Sequence, residues 1–587
     1  MYILGISADH NASAALLKDG KVIVCISEER FNRIKNYFGI PRKSIEYCLN
    51  YANIFPDQLD AVVVASELPP PQPSWGYKDT QSVSTYKIFK SFHRFLMENI
   101  EWRLPFFRKI DEIGYDLTAT ILKGRILRER LEKLDGIVKV GDKKIIFVDH
   151  HLCHALSALY GAPYIKEGIK DILVLTADGE GDRLAATVSI YRKGKLTRIS
   201  STNLNNSVGF FYRAITQYLG MKPDEHEYKV MGLAPYASSL DTDRVFEIIK
   251  EWIIVDHKTL QFKTIVNSHT FLKLCHEKLK GQRFDWVAAA SQRLLEERMI
   301  EWIETVVKRI GVKTVVASGG VFMNVKANKL ITESPNVKRF FVFPSSGDES
   351  NAFGTCFYGF KKLYPNDTPE PIKDLNLGPS FDTDYIYKIL KRRKDFKVMK
   401  LKDMELEVAK LLAKGEVVAR FSGRSEWGAR ALGNRSILAN PSKPDVVERI
   451  NRMIKNRDFW MPFAPTILKE RIQDYLINPK RIDSPYMMIA FNSTTLAKGE
   501  LKAAMHPYDF TLRPQILSED YNPRYFRLIK EFEKITGIGA VLNTSFNLHG
   551  FPIVLSPEDA LEAFENSGLE YLALEDYLIS KDKPKNG

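Results

Sequence analysis

Cysteine is scarce and unpaired in this chain of 587 residues. Cys25, Cys48, Cys153, Cys275 and Cys356 are scattered, odd in number, and none forms a CxxC pair. That excludes a zinc ribbon and predicts a reducing compartment. Long apolar runs are missing as well. No stretch approaches the roughly 18 residues that a membrane helix needs, so no membrane partner is expected. The chain opens on a strand rather than on a basic segment and an apolar block, which predicts no secretory signal and a cytoplasmic protein. There is no arginine-rich tail, zinc finger or aromatic RNP-like run. A net charge of +13 therefore does not make nucleic acid the main partner, because nucleotide and phosphate substrates ask for the same sign. What is present is an ordinary globular composition, 44% hydrophobic and 27% charged. The length exceeds the roughly 250–300 residues at which single cores stop growing, which implies two or more domains.

The densest chemical signal is Val148-Asp149-His150-His151-Leu152-Cys153-His154. The β-branched run from Lys144 to Val148 predicts a strand that feeds a helix capped by Asp149. Residues at i and i+4 share a helix face, so His150 and His154 can offer two imidazoles to one metal ion at a strand's carboxyl end. The pair His151 and His154, at i and i+3, is geometrically open too.

A faint internal repeat surrounds this segment. Strands are expected at 3–7, 12–17 and 21–26, with the polar loop Ala8-Asp9-His10-Asn11 after the first and a turn at Lys18-Asp19-Gly20. The plan recurs at 171–176, 184–191 and 195–200, with the loop Asp178-Gly179-Glu180-Gly181-Asp182 and a turn at Lys193-Gly194. One such unit in each half resembles the duplicated actin, heat-shock ATPase and sugar-kinase superfamily, which faces its two loops across a nucleotide cleft. Two further strand-to-helix junctions follow. The strand at 313–317 ends in Ser318-Gly319-Gly320, where a backbone can approach phosphate or ribose closely, with Asn324 shortly after. The strand at 337–343 ends in Pro344-Ser345-Ser346-Gly347-Asp348, so Asp348 is a candidate metal ligand or an N-cap.

The segment Tyr364-Pro365-Asn366-Asp367-Thr368-Pro369-Glu370-Pro371 reads as a linker, dividing the chain into domains at 1–370 and 371–587. Beyond it, Arg420, Arg424, Arg430 and Arg435 are interleaved with small residues, as in an anion cradle or a solvated basic loop. Leu542-Asn543-Thr544-Ser545-Phe546-Asn547 reads by itself as a turn. Near 83–134, Tyr86, Phe89, Phe92 and Phe95 recur every three residues among basic side chains. This reads as a helical insertion packing its aromatics on the domain, with an acceptor lid or a dimer contact as the sharper alternative.

Taken in order, these motifs resemble the NodU/CmcH-type O-carbamoyltransferase family, which includes tobramycin, cephamycin and nodulation-factor carbamoyltransferases. The resemblance rests on Asp9-His10-Asn11-Ala12-Ser13, Ser27-Glu28-Glu29-Arg30-Phe31-Asn32-Arg33-Ile34-Lys35, the His150/His154 pair, Lys229-Val230-Met231-Gly232-Leu233-Ala234-Pro235-Tyr236 and Gly319-Gly320. It continues through Gly423-Arg424-Ser425-Glu426-Trp427-Gly428-Ala429-Arg430-Ala431-Leu432-Gly433-Asn434-Arg435-Ser436, Lys455-Asn456-Arg457-Asp458-Phe459-Trp460-Met461-Pro462-Phe463-Ala464-Pro465, His506, Arg513-Pro514-Gln515 and the Asn543–Asn547 signature. Asn11 replaces the family's usual aspartate, Ala429 its proline and Met461 its arginine.

The resemblance implies an α/β fold: an N-terminal TsaD-like domain of the duplicated actin/sugar-kinase type, then an α+β YrdC-like domain. It implies that carbamoyl phosphate and ATP, with Mg²⁺, meet Arg424, Arg430, Arg435, Ser436, Lys455, Arg457, His506, Arg513, Asn543, Thr544, Ser545 and Asn547 to give carbamoyl-adenylate. Arg430 and Ser545 are the expected catalytic residues there. The adenylate would be received near Gly319, Gly320, Asn324 and Lys229. Transfer to the hydroxyl of a small-molecule acceptor, a sugar or natural product, is expected beside a metal held by His150, His154, Asp178 and Asp348. Fe²⁺ is expected from the resemblance, while the donor set suits Mn²⁺ or Zn²⁺ equally. His10 is the candidate base, and a homodimer is left open. Competing readings are a threonylcarbamoyl-type tRNA modification protein, which would not need the Asn543–Asn547 domain in this order, and a non-enzymatic ATP-dependent assembly factor. A hydrogenase-maturation carbamoyltransferase should carry paired CxxC motifs, which are absent.

Overall fold

The computed structural model describes residues 1–68, 108–141, 144–393 and 395–581. Tyr86, Phe89, Phe92 and Phe95 lie outside the described residues; the later part of the expected insertion is a helix, Arg108–Val138. The chain forms two compact units, Met1–Glu28 with Asn36–Ile372, and Glu29–Lys35 with Lys373–Gly587. The expected single cut after residue 370 thus differs from these units in the short segment Glu29–Lys35. Its arginines explain the difference. Arg30 Nη2 donates to the Gly428 carbonyl at 2.6 Å and Arg33 Nη1 to that of Ile553 at 3.1 Å.

The first unit holds strands β1 (Tyr2–Ser7), β2 (Ser13–Lys18), β3 (Lys21–Ser27), β4 (Ala61–Ala65), β5 (Ile145–Val148), β6 (Ile172–Gly181), β7 (Leu184–Arg192), β8 (Lys195–Asn203), β9 (Ile253–Asp256), β10 (Gln261–Thr264), β11 (Thr314–Ser318) and β12 (Arg339–Val342). One sheet has the order β3-β2-β1-β4-β5 and the other β8-β7-β6-β11-β12; β9 and β10 form a separate hairpin. Strand for strand the two sheets are the same object: an antiparallel meander of three, then two parallel strands. The repeat faintly visible in the sequence is a repeat of an entire sheet, the duplicated architecture expected for this unit. Even the turns agree. Asp19 and Gly20 have φ of 48° and 86°, Lys193 and Gly194 of 52° and 78°, two positive values in each as a two-residue type I′ hairpin requires. Strand β4, Ala-Val-Val-Val-Ala, is buried at every residue, because a parallel strand covered on both faces shows no alternation.

One local difference shapes the site. The stretch expected as a loop at 178–182 continues β6 as far as Gly181, but its ladder to β7 is interrupted between Ala177 and Gly181. Such an interruption re-aims a side chain, here Asp178, out of the pleat. The helices His150–Gly161 and Asn351–Leu363 follow β5 and β12 and pack closely. At Gly354 a Cβ would lie 1.9 Å from the Cys153 carbonyl oxygen.

The second unit is α+β. Its strands are β13 (Lys397–Lys400), β14 (Val418–Phe421), β15 (Arg435–Ala439), β16 (Ala464–Leu468), β17 (Leu476–Ile477), β18 (Phe491–Ser493), β19 (Thr511–Leu512), β20 (Gln515–Leu517), β21 (Ala540–Ser545), β22 (Tyr571–Leu574) and β23 (Tyr577–Ser580). Eight form one mixed sheet, β13-β23-β22-β14-β15-β21-β16-β20, and β17-β18-β19 a small second one. The register of β15 on β21 sets Ser436 opposite Ser545, so two segments 109 positions apart meet at one sheet end.

The close approach at Gly354 predicts that Gly354→Ala pushes the two site-bearing helices apart. Urea unfolding should show a loss of about 2–3 kcal/mol, the usual cost of overpacking. An unchanged midpoint would contradict the packing described.

Candidate metal centre and anion site

Asp149 caps the helix His150–Gly161: its Oδ1 accepts from Leu152 N at 2.7 Å and from Arg198 Nη2 at 2.5 Å. With the first turn fixed, His150 and His154 face the same way. Their Nε2 atoms lie 3.1 Å apart. Asp178 Oδ2 is 3.3 Å from the first and 3.0 Å from the second. Asp348 Oδ1, from the 3₁₀ turn Asp348–Ser350 after β12, is 3.5 and 3.7 Å from them. One ligand atom from each of His150, His154, Asp178 and Asp348 lies within 4.8 Å of all the others, a group that could hold a metal ion. Two imidazoles and two carboxylates suit a borderline divalent ion.

The opposite ring nitrogens are anchored. His150 Nδ1 is 3.0 Å from Ser66 Oγ, and His154 Nδ1 lies 3.1 Å from Ser350 Oγ and 3.2 Å from Ser318 Oγ. Such partners fix tautomer and ring orientation. Sequence reasoning missed these three serines, which lie at the ends of β4 and β11 and in the 3₁₀ turn. It also missed Asp182, whose carboxylate accepts from the amides of His150 (2.7 Å), Glu67 (3.0 Å) and Leu68 (2.5 Å). That carboxylate ties the end of β4 to the start of the histidine helix. Burial, with Asp149 nearby, lifts it to about 6.

His151 does not join the group, which removes the i, i+3 alternative. Its Nδ1 bonds Thr176 Oγ1 at 2.8 Å, and burial together with the neighbouring imidazoles holds it at about 3. It is a neutral core histidine. For His150, burial pushes downward, but the charges of Asp348 and Asp178 outweigh it and hold the ring at about 9. Burial and then the charge of Asp178 push Asp348 well above the carboxylate range. Asp178 stays well below that range against the effect of burial, because both imidazoles hydrogen-bond to it.

Gly319 has φ 109°, and a Cβ there would lie 2.2 Å from the Ala177 carbonyl oxygen; at Gly320 it would lie 2.8 Å from Asp178 Oδ1. The glycine pair therefore gives β6 and Asp178 their room. Asn324 caps the helix Val325–Glu333 and exchanges amide hydrogen bonds with Gln292 at 2.9 and 3.0 Å. Its side chain thus joins the start of that helix to Gln292. Lys229 is half-buried on the short helix Glu227–Leu233. His10 is half-buried in the turn after β1, where Asn11, with φ 53°, suits a left-handed position that asparagine tolerates well.

In the second unit the basic residues divide into two kinds. Arg435 is fully buried, stacks 3.5 Å over Phe421 and donates to the carbonyls of Ser422, Asn434, Pro379 and Gly423. Arg424 donates to the carbonyls of Gly378 and Leu377, and Ser436 Oγ accepts from Gly433 N. His506 Nδ1 accepts from two amides of its own turn. These four side chains all hydrogen-bond to the protein's own backbone. A second carboxylate missed in the sequence, Glu426, shapes the loop by accepting from the amides of Leu432, Asn434 and Arg435.

The other kind gathers like charge. Lys455 ends a single π-helical turn, Asn451–Lys455, a distortion common at functional sites. Its Nζ donates to Asn547 Oδ1 at 2.7 Å and to Ser545 Oγ at 3.1 Å. Burial, then Arg457 and Lys35, hold it well below its ordinary value. Arg457 Nη2 donates to Thr544 Oγ1 at 3.0 Å. Arg513 is held well below its ordinary value by burial and by the guanidinium groups of Arg430 and Arg457. Asn543 is buried; its Nδ2 donates to the Ala431 carbonyl and Thr466 Oγ1, while its Oδ1 has no hydrogen-bond partner. Clustered cations, Lys455 buried and the arginines half-buried, with hydroxyl and amide neighbours form a candidate anion site.

Residues 2–357 match the family model for the carbamoyltransferase N-terminus, and residues 409–581 that for the carbamoyltransferase C-terminus. An uncharacterized protein of Methanocaldococcus jannaschii is 33% identical, covering 99% of this chain and 100% of its own. Nodulation protein NolNO of Sinorhizobium fredii is 29% identical, with 97% and 79% covered, and nodulation protein U of Bradyrhizobium diazoefficiens is 28% identical, with 99% and 97% covered.

The two kinds of cation should respond oppositely to substitution. Arg435→Lys leaves buried carbonyls unpaired and should cost about 3 kcal/mol in chemical denaturation. Arg513→Gln relieves repulsion and should raise the melting temperature in phosphate-free buffer. Inorganic phosphate should stabilise the wild type more than this variant. Equal stabilisation would remove Arg513 from the anion site.

Proposed function

The chain belongs to the carbamoyltransferase family, and from that premise we propose that it is an ATP-dependent O-carbamoyltransferase. The observation that carries the reading is the separation of two opposite chemistries on two units. Four converging metal-type donors sit on one, and on the other the basic set of Lys455, Arg457, Arg430 and Arg513 lies with Thr544, Ser545 and Asn547. On this reading the second, YrdC-like unit binds carbamoyl phosphate and Mg²⁺-ATP. Arg430, Arg457 and Arg513 neutralise the phosphates, and Lys455 is held in place by Ser545 and Asn547. Carbamoyl-adenylate forms there and is consumed on the first, TsaD-like unit.

Carbamoyl transfer to a hydroxyl needs a good leaving group and a stabilised tetrahedral centre. His150, His154, Asp178 and Asp348 would hold a divalent ion, Fe²⁺ or equally Mn²⁺ or Zn²⁺ by donor type. When bound it would supply Lewis-acid polarisation and an anchor for phosphate oxygen. Ser66, Ser318 and Ser350 keep the two imidazoles aimed, and Asp178 keeps its charge because both rings hydrogen-bond to it. The acceptor is a small hydroxylated molecule. No helix among the described residues is long and apolar enough to cross a membrane. The five cysteines are free and buried, which supports a reducing, cytoplasmic setting.

Losing a charge-assisted phosphate contact costs about 1.5–3 kcal/mol, roughly ten- to a hundredfold in binding. Arg430→Ala, Arg513→Ala and Ser545→Ala should therefore lose most carbamoyl-phosphate-dependent release of pyrophosphate from ATP. Synthetic carbamoyl-adenylate should restore carbamoylation of a polyol panel, scored as a mass gain. The same supplement should fail with His154→Ala or Asp348→Ala. If both sets respond alike, the chain has one active site and the division is wrong.

Metal binding carries its own pH signature. His150 is held at about 9 and Asp348 above its ordinary range, so an entering ion must displace their protons. Zn²⁺ or Mn²⁺ affinity should rise from about pH 6 to about pH 9, with protons released into a weakly buffered solution. His154→Ala should lose stoichiometric metal while His151→Gln keeps it. A pH-independent affinity would contradict the assignment.

A further inference from the structure

Resting on the carbamoyl-transfer reading, we propose that Asp9 is the proton acceptor for the attacking hydroxyl, a role that the sequence pointed instead toward His10. Asp9 closes the turn after β1 and is 1% exposed. Neither Oδ1 nor Oδ2 has a hydrogen-bond partner, and among the described residues no other carboxylate has both oxygens buried in that way. An unsatisfied buried carboxylate costs several kcal/mol, so a fold that keeps one has a use for it.

Its place is fixed by geometry. Ser13, at the far end of the same turn, donates through Oγ to the Glu349 carbonyl at 2.9 Å, next to Asp348. The Asp9 backbone carbonyl accepts from Gly39 N at 3.4 Å. The turn that carries Asp9 is thus tied to the segment of Asp348, Asp9 is not one of the four converging ligands, and its charge acts on Asp348 and Cys153. Several neighbouring acceptors are already engaged. The two imidazole Nε2 atoms and the oxygens of Asp178 and Asp348 converge on one point, His151 bonds Thr176, and Asp182 holds three amides.

In the step itself the acceptor oxygen bonds the carbamoyl carbon while its proton passes to an Asp9 oxygen. The bond from that carbon to the phosphate oxygen breaks, AMP leaves with the electron pair, and the proton on Asp9 is later released to water. A positioned general base is worth about 10²–10⁴ in rate.

The test compares two nucleophiles with synthetic carbamoyl-adenylate and metal-loaded full-length protein. Glycerol must lose a hydroxyl proton as it attacks, whereas hydroxylamine, largely unprotonated at neutral pH, attacks without that help and gives hydroxyurea. Asp9→Asn should lose glycerol carbamoylation at least about a hundredfold. It should keep most hydroxyurea formation above the enzyme-free rate, together with wild-type metal content. Added formate should recover part of the glycerol reaction in Asp9→Ala, by restoring a carboxylate. Undiminished glycerol carbamoylation by Asp9→Asn would overturn the proposal. So would loss of both reactions without formate recovery, or loss of metal, which would make Asp9 a ligand. A wild type that carbamoylates neither nucleophile would instead overturn the carbamoyl-transfer reading itself.

Discussion

Four ligand atoms, from two buried histidines and two partly buried aspartates, converge within 4.8 Å, and they cannot all be deprotonated at once unless a cation lies between them. That constraint organises the first unit. Two imidazole nitrogens 3.1 Å apart would repel through their lone pairs, so without a metal the group must retain protons, as the high position of His150 shows. Holding such an arrangement takes rigid support: a capped helix start, serines behind both rings, and an aspartate locking the helix to a neighbouring strand end. Close packing at Gly354 joins the two helices that follow the histidine and Asp348 strands.

The duplicated sheet makes the convergence possible. Each copy ends its parallel strands at one edge, where open α/β sheets place their ligands. β5 leads to the histidines in one sheet. β6, β11 and β12 lead to Asp178, Ser318 and Asp348 in the other. The interrupted ladder of β6 is the local irregularity that frees Asp178 for this role. A strict ladder would have kept the carboxylate in the pleat.

Much of this could be read from the sequence where the code is local. The spacing of His150 and His154, the Asp149 cap and both Asp/Lys-Gly turns depend on neighbours within a few residues. Periodicity and capping therefore disclosed them. Asp348 was visible as a carboxylate at a strand end, though whether it would cap or converge was not. The clearest omissions are long-range. Nothing in Glu29–Lys35 signals that it joins the second unit, since its arginines are satisfied by carbonyls some 400 and 520 positions away. Ser66 and Asp182 look like ordinary loop residues until the two sheets are assembled. Strand β4, uniformly buried, has no alternation to read.

The arginine-rich segment shows why residue type alone cannot separate a binding cation from a structural one. Arg435 and Arg513 have the same chemistry and similar motifs, yet carbonyl oxygens and an aromatic face surround the first, and two guanidinium groups press on the second. The difference is whether the fold has already satisfied the charge. By that criterion each unit gathers charged groups of its own kind, carboxylates and imidazoles converging in one, lysine and arginines pressing on one another in the other. A fold selected only for stability would neutralise both from its own side chains. Gathering them lowers stability locally and reserves interaction energy for a ligand, which is where local structural rules are expected to yield to function.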